Sequence, residues 1–252
     1  MFLSKFIYKL FTTFLQVTIY LCVFLMPMRA SDVIYASGSV AKPGDLETAI
    51  ALNNMGALLV RQGQYASAEG SLRKAYAVLE KTDAANSVNA ASVLSNLALS
   101  IHKQGCYKEA EPLYELAETL VKRWDGESSI EYAKVLTNSA LLAYEMGNYA
   151  SAVKQSQQAL DVESKLQLAE NSIRARTMNN LALTLTELGR FSEAEALFLQ
   201  VLPLQKVDHS DSGAGLAEVL NNLAVLDRKI GWLDASREYS LQALRIVTSS
   251  LG

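Results

Sequence analysis

Gly63, Gly105, Gly147, Gly189 and Gly231 recur every 42 residues, with no insertion or deletion between them. A constant period of this length is the mark of a solenoid, in which each unit packs only on its neighbours and the stack presents an extended surface. Registered on the glycines, the five units share Ala49, Ala91, Ala133, Ala175 and Ala217, and then Asn54, Asn96, Asn138, Asn180 and Asn222. Two residues before each Asn stands Leu52, Leu94, Leu136, Met178 or Leu220, and two after it Gly56, Ala98, Ala140, Ala182 or Ala224. Small residues at that position let two helices approach closely. With Met55, Leu97, Leu181 and Leu223 alongside, the apolar positions recur at spacings of three and four, the period of an amphipathic helix.

That first helix ends at the repeated Gly, which adopts a left-handed conformation at little cost. A second helix then opens with Tyr65, Tyr107, Tyr149, Phe191 or Leu233, and carries Ala68, Ala110, Ala152, Ala194 or Ser236 three residues on. Ala75, Ala117, Ala159, Val201 or Ala243 follows seven further, marking a second place where helices touch. Pro112 is expected in the first turn of its helix, where the missing N–H costs nothing, and Pro203 near a helix end. Polar connectors such as Lys81–Asn86 and Asp208–Gly213 separate the hairpins, and Asp45 is placed to cap the first helix. The array therefore occupies 45–252, in units of about 45–86, 87–128, 129–170, 171–212 and 213–252.

The turn Gly105-Cys106-Tyr107-Lys108-Glu109-Ala110 resembles the tetratricopeptide repeat, whose ordinary unit is about 34 residues. Roughly eight extra residues add about one turn to each helix. Lengthened repeats of this kind are similar to those of the kinesin light chain type, as Leu220-Asn221-Asn222-Leu223-Ala224 and Tyr107-Lys108-Glu109-Ala110-Glu111-Pro112-Leu113-Tyr114 illustrate. The resemblance runs from Asp45 to the end. It departs in lacking a Leu-Gly-x-x-His-Pro connector and in carrying Leu233 and Ser236 in the fifth unit. It implies an all-α, TPR-like right-handed α-solenoid of helix-turn-helix repeats.

Residues 1–30 read differently: Lys5 and Lys9 precede an uncharged apolar run from Leu10 to Met28, and no Asp or Glu appears before Asp32. The run suits either a signal peptide, cut after Ala30, or a signal anchor, followed by a linker over 31–44. Both readings leave the amino terminus in the cytoplasm and the repeats outside it, periplasmic, secreted or tethered. Taking Lys5, Lys9 and Arg29 from the 23 basic residues leaves 20 against 26 acidic ones, a net −6. Such a domain is a poor partner for nucleic acid. Beyond the leader only Cys106 remains, so no intramolecular disulfide forms.

The inner wall of stacked hairpins is built mainly from first helices, and on these a stripe spaced four, three and four reads Ser92, Asn96, Leu99, Lys103 in the second unit. The next two read Lys134, Asn138, Leu141, Glu145 and Arg176, Asn180, Leu183, Glu187. Asn is a mediocre helix former, yet every unit keeps one. Asn54, Asn96, Asn138, Asn180 and Asn222 either grip the N–H and C=O groups of an extended peptide or bond a neighbouring helix and set repeat spacing. In proteins this array resembles, the matching Asn contacts peptide main chain. Lys103, Lys134 and Arg176, with Arg61, suit acidic peptide groups, and Tyr144, His102 and the Asn53, Asn179, Asn221 set add rim contacts. A second Asn for a chaperone-tail clamp is absent, since Ala57, Leu99, Leu141, Leu183 and Val225 stand there.

With His102 and His209 as the only histidines, no metal cluster, cofactor site or catalytic set is expected. Ser71–Lys74 and Ser151–Lys154 match Ser-x-x-Lys without its companion motifs, and the His102–Cys106 spacing falls in a variable turn position. The expected function is a non-catalytic scaffold that binds an extended segment of a protein partner. The alternative is a structural module that self-associates through its terminal repeat, where Leu241, Leu244, Ile246 and Val247 need cover.

Overall fold

The computed structural model describes residues 45–82, 84–166, 171–206 and 213–250. The leader, the linker, His209 and Leu251–Gly252 lie outside these residues. Ten helices appear among the described residues, in five hairpins: α1 (Asp45–Arg61) with α2 (Tyr65–Lys81), and α3 (Val88–His102) with α4 (Tyr107–Trp124). Next come α5 (Ile130–Glu145) with α6 (Tyr149–Leu166), α7 (Asn171–Glu187) with α8 (Phe191–Lys206), and α9 (Ala214–Ile230) with α10 (Leu233–Ser250).

Helix starts share a register that the glycines alone do not reveal. Ser87 Oγ accepts a hydrogen bond from the Ala90 N–H at 3.2 Å, and Ser129 Oγ one from Tyr132 N–H at 3.2 Å. Asp45, Asn171 and Gly213 occupy the same place in the other units, so all five positions carry residues favoured at helix starts. Each such side-chain cap contributes about 1 kcal/mol.

The helix ends follow one geometry. Every repeated Gly has a positive φ, from 73° at Gly63 to 95° at Gly231. The residue after it donates its N–H to the carbonyl five residues back: Gln64 to Leu59, Cys106 to Ile101, Asn148 to Ala143, Arg190 to Leu185 and Trp232 to Asp227. This double closure satisfies carbonyls that the helix end would otherwise leave open and turns the chain straight into the next helix. Because α4 starts at Tyr107, immediately after that closure, Pro112 is its sixth residue and not in the first turn as expected.

Within each hairpin, contact is made through small side chains. Ala68, Ala110, Ala152 and Ala194 are fully buried, and so is the Ala row from Ala49 to Ala217. Gly56 marks the closest approach, since a Cβ there would sit 2.5 Å from Leu72 Cγ. In the fifth unit Ser236 replaces the alanine and donates its hydroxyl to the Ala224 carbonyl of the facing helix at 2.7 Å. Tyr114 and Phe198 are the largest side chains sealed inside.

Each second helix packs on the first helix of the following unit, and each first helix also touches the next one: α1 with α3, α3 with α5, α5 with α7, α7 with α9. Among the described residues second helices meet more sparsely, as in the Arg73–Glu109 ion pair at 2.6 Å between α2 and α4. A stack that is tighter along its first helices than along its second ones curves toward the first, which makes these the inner wall. Between the third and fourth units the apolar core gives way to a polar seam. There the Thr137 and Thr177 hydroxyls lie 2.8 Å apart and Glu163 Oε1 is 2.8 Å from Thr177 Oγ1, all three side chains being buried. Burial pushes the Glu163 carboxyl up from its ordinary pKa, the Thr177 hydrogen bond and the nearby Arg174 and Arg176 opposing it.

Two glycine-to-alanine changes should act in opposite directions. Gly147 has φ 77° and open space around its missing Cβ, so Gly147→Ala incurs only the left-handed backbone penalty of about 1–2 kcal/mol. Gly70 lies inside α2, also in open space, and Gly70→Ala should stabilise by about 0.5–1 kcal/mol. Urea unfolding of the two variants beside the parent chain reads both signs; equal midpoints would contradict the turn geometry.

Candidate functional site

The inner wall is built from residues one helical face apart on the five first helices. Leu99, Leu141, Leu183 and Val225 are half-buried along it, and Ser92, Lys134 and Asn96 are partly open. Arg61, Lys103, Arg176, Glu187, Glu218 and Lys229 are exposed. The wall thus carries an aliphatic contact and a charge in successive units, while Asn138 and Asn180 are buried, at 8% and 4% exposure.

The asparagines are tied to one another across the units. Asn96 donates Nδ2–H to Asn53 Oδ1 at 3.0 Å, Asn138 to Ser95 Oγ at 3.5 Å, Asn180 to the Thr137 carbonyl at 3.3 Å and Asn222 to Asn179 Oδ1 at 3.0 Å. Each bond joins residues 43 apart, from one first helix to the residue before the Asn of the preceding unit. Asn53 also donates to Ser92 Oγ at 3.3 Å, and Asn179 to Glu218 Oε1 at 3.1 Å. The ladder thus uses one amide hydrogen bond from every unit after the first. The Oδ1 atoms of Asn96, Asn138, Asn180 and Asn222 accept no hydrogen bond from the described residues. Asn54, with no unit before it in the array, is exposed.

A polar residue stands before every Asn, at Asn53, Ser95, Thr137, Asn179 and Asn221, and the first four supply the ladder's acceptors, Thr137 through its backbone carbonyl. Of the three expected as rim contacts, Asn53 and Asn179 lie between the helices as acceptors and Asn221 is exposed.

The expected cations have different fates. Lys103 Nζ lies 3.5 Å from Glu145 Oε1, one unit on, and Lys134 Nζ 2.7 Å from Glu131 Oε1 on its own helix. Lys229 and Glu187 pair across units at 2.8 Å. Arg176 makes no ion pair among the described residues. It is exposed, yet enough protein surrounds it that desolvation lowers its pKa, with Tyr114, Glu163 and Glu218 acting in the other direction. The Tyr114 hydroxyl, buried and without a hydrogen-bond partner, lies among these groups and is held by burial well above its ordinary pKa.

His102 departs from expectation, for it is fully buried and not on the rim. Tyr107 and Tyr114 pack edge-on against it, with ring centres 5.7 and 6.3 Å away. Its Nε2 is 3.0 Å from Glu145 Oε2, in a geometry too oblique for a hydrogen bond. The side chain closes the junction between the second and third units. Tyr144 is partly buried against Tyr149, with centres 6.0 Å apart.

Burial holds the His102 imidazole below its ordinary 6.5; Glu145 pulls it up, and Lys103 adds to the lowering. The unfolded chain therefore binds a proton there before the folded chain does, and stability falls as pH drops from about 6.5 toward the lower folded value. Burial raises the Glu145 pKa, but the charges of His102 and Lys103 outweigh it and hold the carboxyl below 4.5, so its contribution is lost at more acid pH. Urea midpoints of the parent chain should fall between about pH 7 and pH 5, and His102→Gln should flatten that decline. Parallel pH profiles for the two would contradict the assignment.

A family model described as tetratricopeptide repeat matches residues 89–164 and 173–249, and a second of the same description matches 48–82. No curated protein matches the chain. Among solved structures, BtubC (BKLC) from P. vanneervenii has a TM-score of 0.66 at 19% identity, over 82% of this chain and 83% of that one. A kinesin light chain-type protein of nearly identical TPR-like repeats from Podosopora anserina has a TM-score of 0.63 at 18% identity, over 83% and 99%. A Rap protein complexed with Competence and Sporulation Factor has a TM-score of 0.58 at 17% identity, over 82% and 67%. At these identities the likeness is one of fold. With family models covering most of its length, and with repeats like those of kinesin light chain-type proteins, the chain belongs to the tetratricopeptide repeat family.

Proposed function

We propose that the array is a non-catalytic scaffold that holds an extended segment of a partner protein along its inner wall. The observation that carries this reading is the set of amide oxygens left open by the ladder. Asn96 and Asn222, both partly open, direct Nδ2–H into the preceding unit, which leaves the Oδ1 of each to accept a main-chain N–H, whereas Asn138 and Asn180 are buried. Asn54 retains both amide groups. A row of such acceptors grips backbone and makes no demand on sequence.

Selectivity in this reading comes from the neighbours of the ladder. Leu99, Leu141, Leu183 and Val225 offer shallow aliphatic contacts, one per unit. Because Lys103 and Lys134 already face Glu145 and Glu131, Arg61 and Arg176 are the wall cations that an acidic side chain of the segment meets, Arg176 in the middle of the array. The Rap protein, which shares the fold, is complexed with Competence and Sporulation Factor, a precedent for ligand binding on such an array. The family consists generally of interaction scaffolds, which favours binding over catalysis.

The array is further proposed to work outside the cytoplasm, exported or tethered by the leader. Support comes from Lys5 and Lys9 ahead of the uncharged run Leu10–Met28. No helix among the described residues is long and apolar enough to cross a membrane.

Panning a random-peptide phage library on the chain tests the groove. Enriched peptides should carry an acidic residue and lose about tenfold in affinity, or about 1.4 kcal/mol, on Arg176→Ala or Leu141→Asp. Glu111→Ala, on the exposed face of α4, should leave binding unchanged. Peptides insensitive to both groove changes, or no enrichment at all, would contradict the reading.

A further inference from the structure

The two ends of the array expose positions that the interior units cover more fully. Met55 on α1 is 54% exposed, whereas its equivalents Leu97, Leu181 and Leu223 are buried. Leu58 is 47% exposed, against buried Leu142 and Leu226, and Ala51 is exposed where Val93, Val135 and Val219 are buried. In the interior these positions lie under the second helix of the preceding unit. At the other end Leu244 is 58% exposed while Leu160 and Leu202 are half-buried, and Val247 is 42% exposed while Leu79 and Val121 are sealed. Those positions lie under the first helix of the following unit.

We infer that two copies of the chain stack end to end, with α10 of one copy covering α1 of the next. Each exposed face has the register of a surface whose counterpart is present at the opposite end of the same molecule, so the contact would continue the inter-unit interface already built four times within the chain. That interface supplies the pairing. Tyr132 meets Glu118 at 3.4 Å between α4 and α5, and Thr177 meets Glu163 at 2.8 Å between α6 and α7. Shifted by whole repeats, the same positions set Thr48 against Leu244 and Ala51 against Val247. The exposed Glu47 and Arg245 then lie at matching ends of the two helices, with opposite charge.

Such a contact is heterologous, so it does not close on itself and can extend the superhelix. A surface of one helix on another is small and gives weak association. It depends on two different patches, and this separates it from pairing of like ends.

Sedimentation equilibrium of the full chain in mild detergent, from about 1 µM to 1 mM, should show protein mass rising with concentration and passing beyond two chains. Met55→Glu with Leu58→Glu, and separately Leu244→Glu with Val247→Glu, should each hold the mass at one chain while circular dichroism retains full helicity. All four residues are exposed, so these variants keep the fold; if either loses helicity, the milder single changes Met55→Lys and Leu244→Lys carry the same comparison. An equimolar mixture of the two variants restores one intact contact and should stop at two chains. A parent chain of constant single mass overturns the inference, including the case in which residues 1–44 or another protein occupies α1. So does association of either variant alone, which would mean like ends pair, and so does a mixture that stays at one chain.

Discussion

An amide hydrogen bond from each first helix to the one before it sets the spacing on which the rest of the array depends. Asn96, Asn138, Asn180 and Asn222 donate to residues 43 earlier, always one position before the preceding Asn. Apolar packing between hairpins is non-directional and tolerates sliding, whereas a hydrogen bond between buried or half-buried groups defines one register. First helices held in this way pack on one another more closely than second helices do, and the curvature follows. The concave wall and its exposed Arg176 derive from that asymmetry.

The ladder also changes how the groove reads. Grip and spacing present themselves in the sequence as two roles for the same Asn; in the structure Nδ2 is committed between units, and in the proposed reading the Oδ1 atoms of the partly open Asn96 and Asn222 serve the grip. Inter-unit ion pairs act likewise: Lys103 with Glu145, and Lys229 with Glu187, join neighbouring units and remove charge from the wall that charge counting alone would offer to a partner.

The turn glycines and contact alanines are legible in the sequence because each position admits one residue type: a positive φ favours Gly, and close helix contact favours Ala. Positions whose role several residue types can fill are harder to read. Helix starts accept Asp, Ser, Asn or Gly, and the ladder's acceptors are Asn53, Ser95, the Thr137 backbone and Asn179, so neither appears as a repeated letter. Glu163 and His102 have the look of surface residues by type, and only the packing of the third and fourth units, or of Tyr107 and Tyr114, encloses them. The leader, read as export or anchoring, lies outside the described residues.

A double-mutant cycle on Asn96 and Asn53 measures the ladder most directly, because it isolates the pair from whatever else each side chain does. The unfolding free energies of the parent, Asn96→Ala, Asn53→Ala and the double variant should yield a coupling of about 0.5–1.5 kcal/mol, with Asn54→Ala, outside the ladder, showing none with Asn53→Ala. Strictly additive losses at Asn96 and Asn53 would mean that the amide bond does not tie the helices together, and the account of register and curvature would fail.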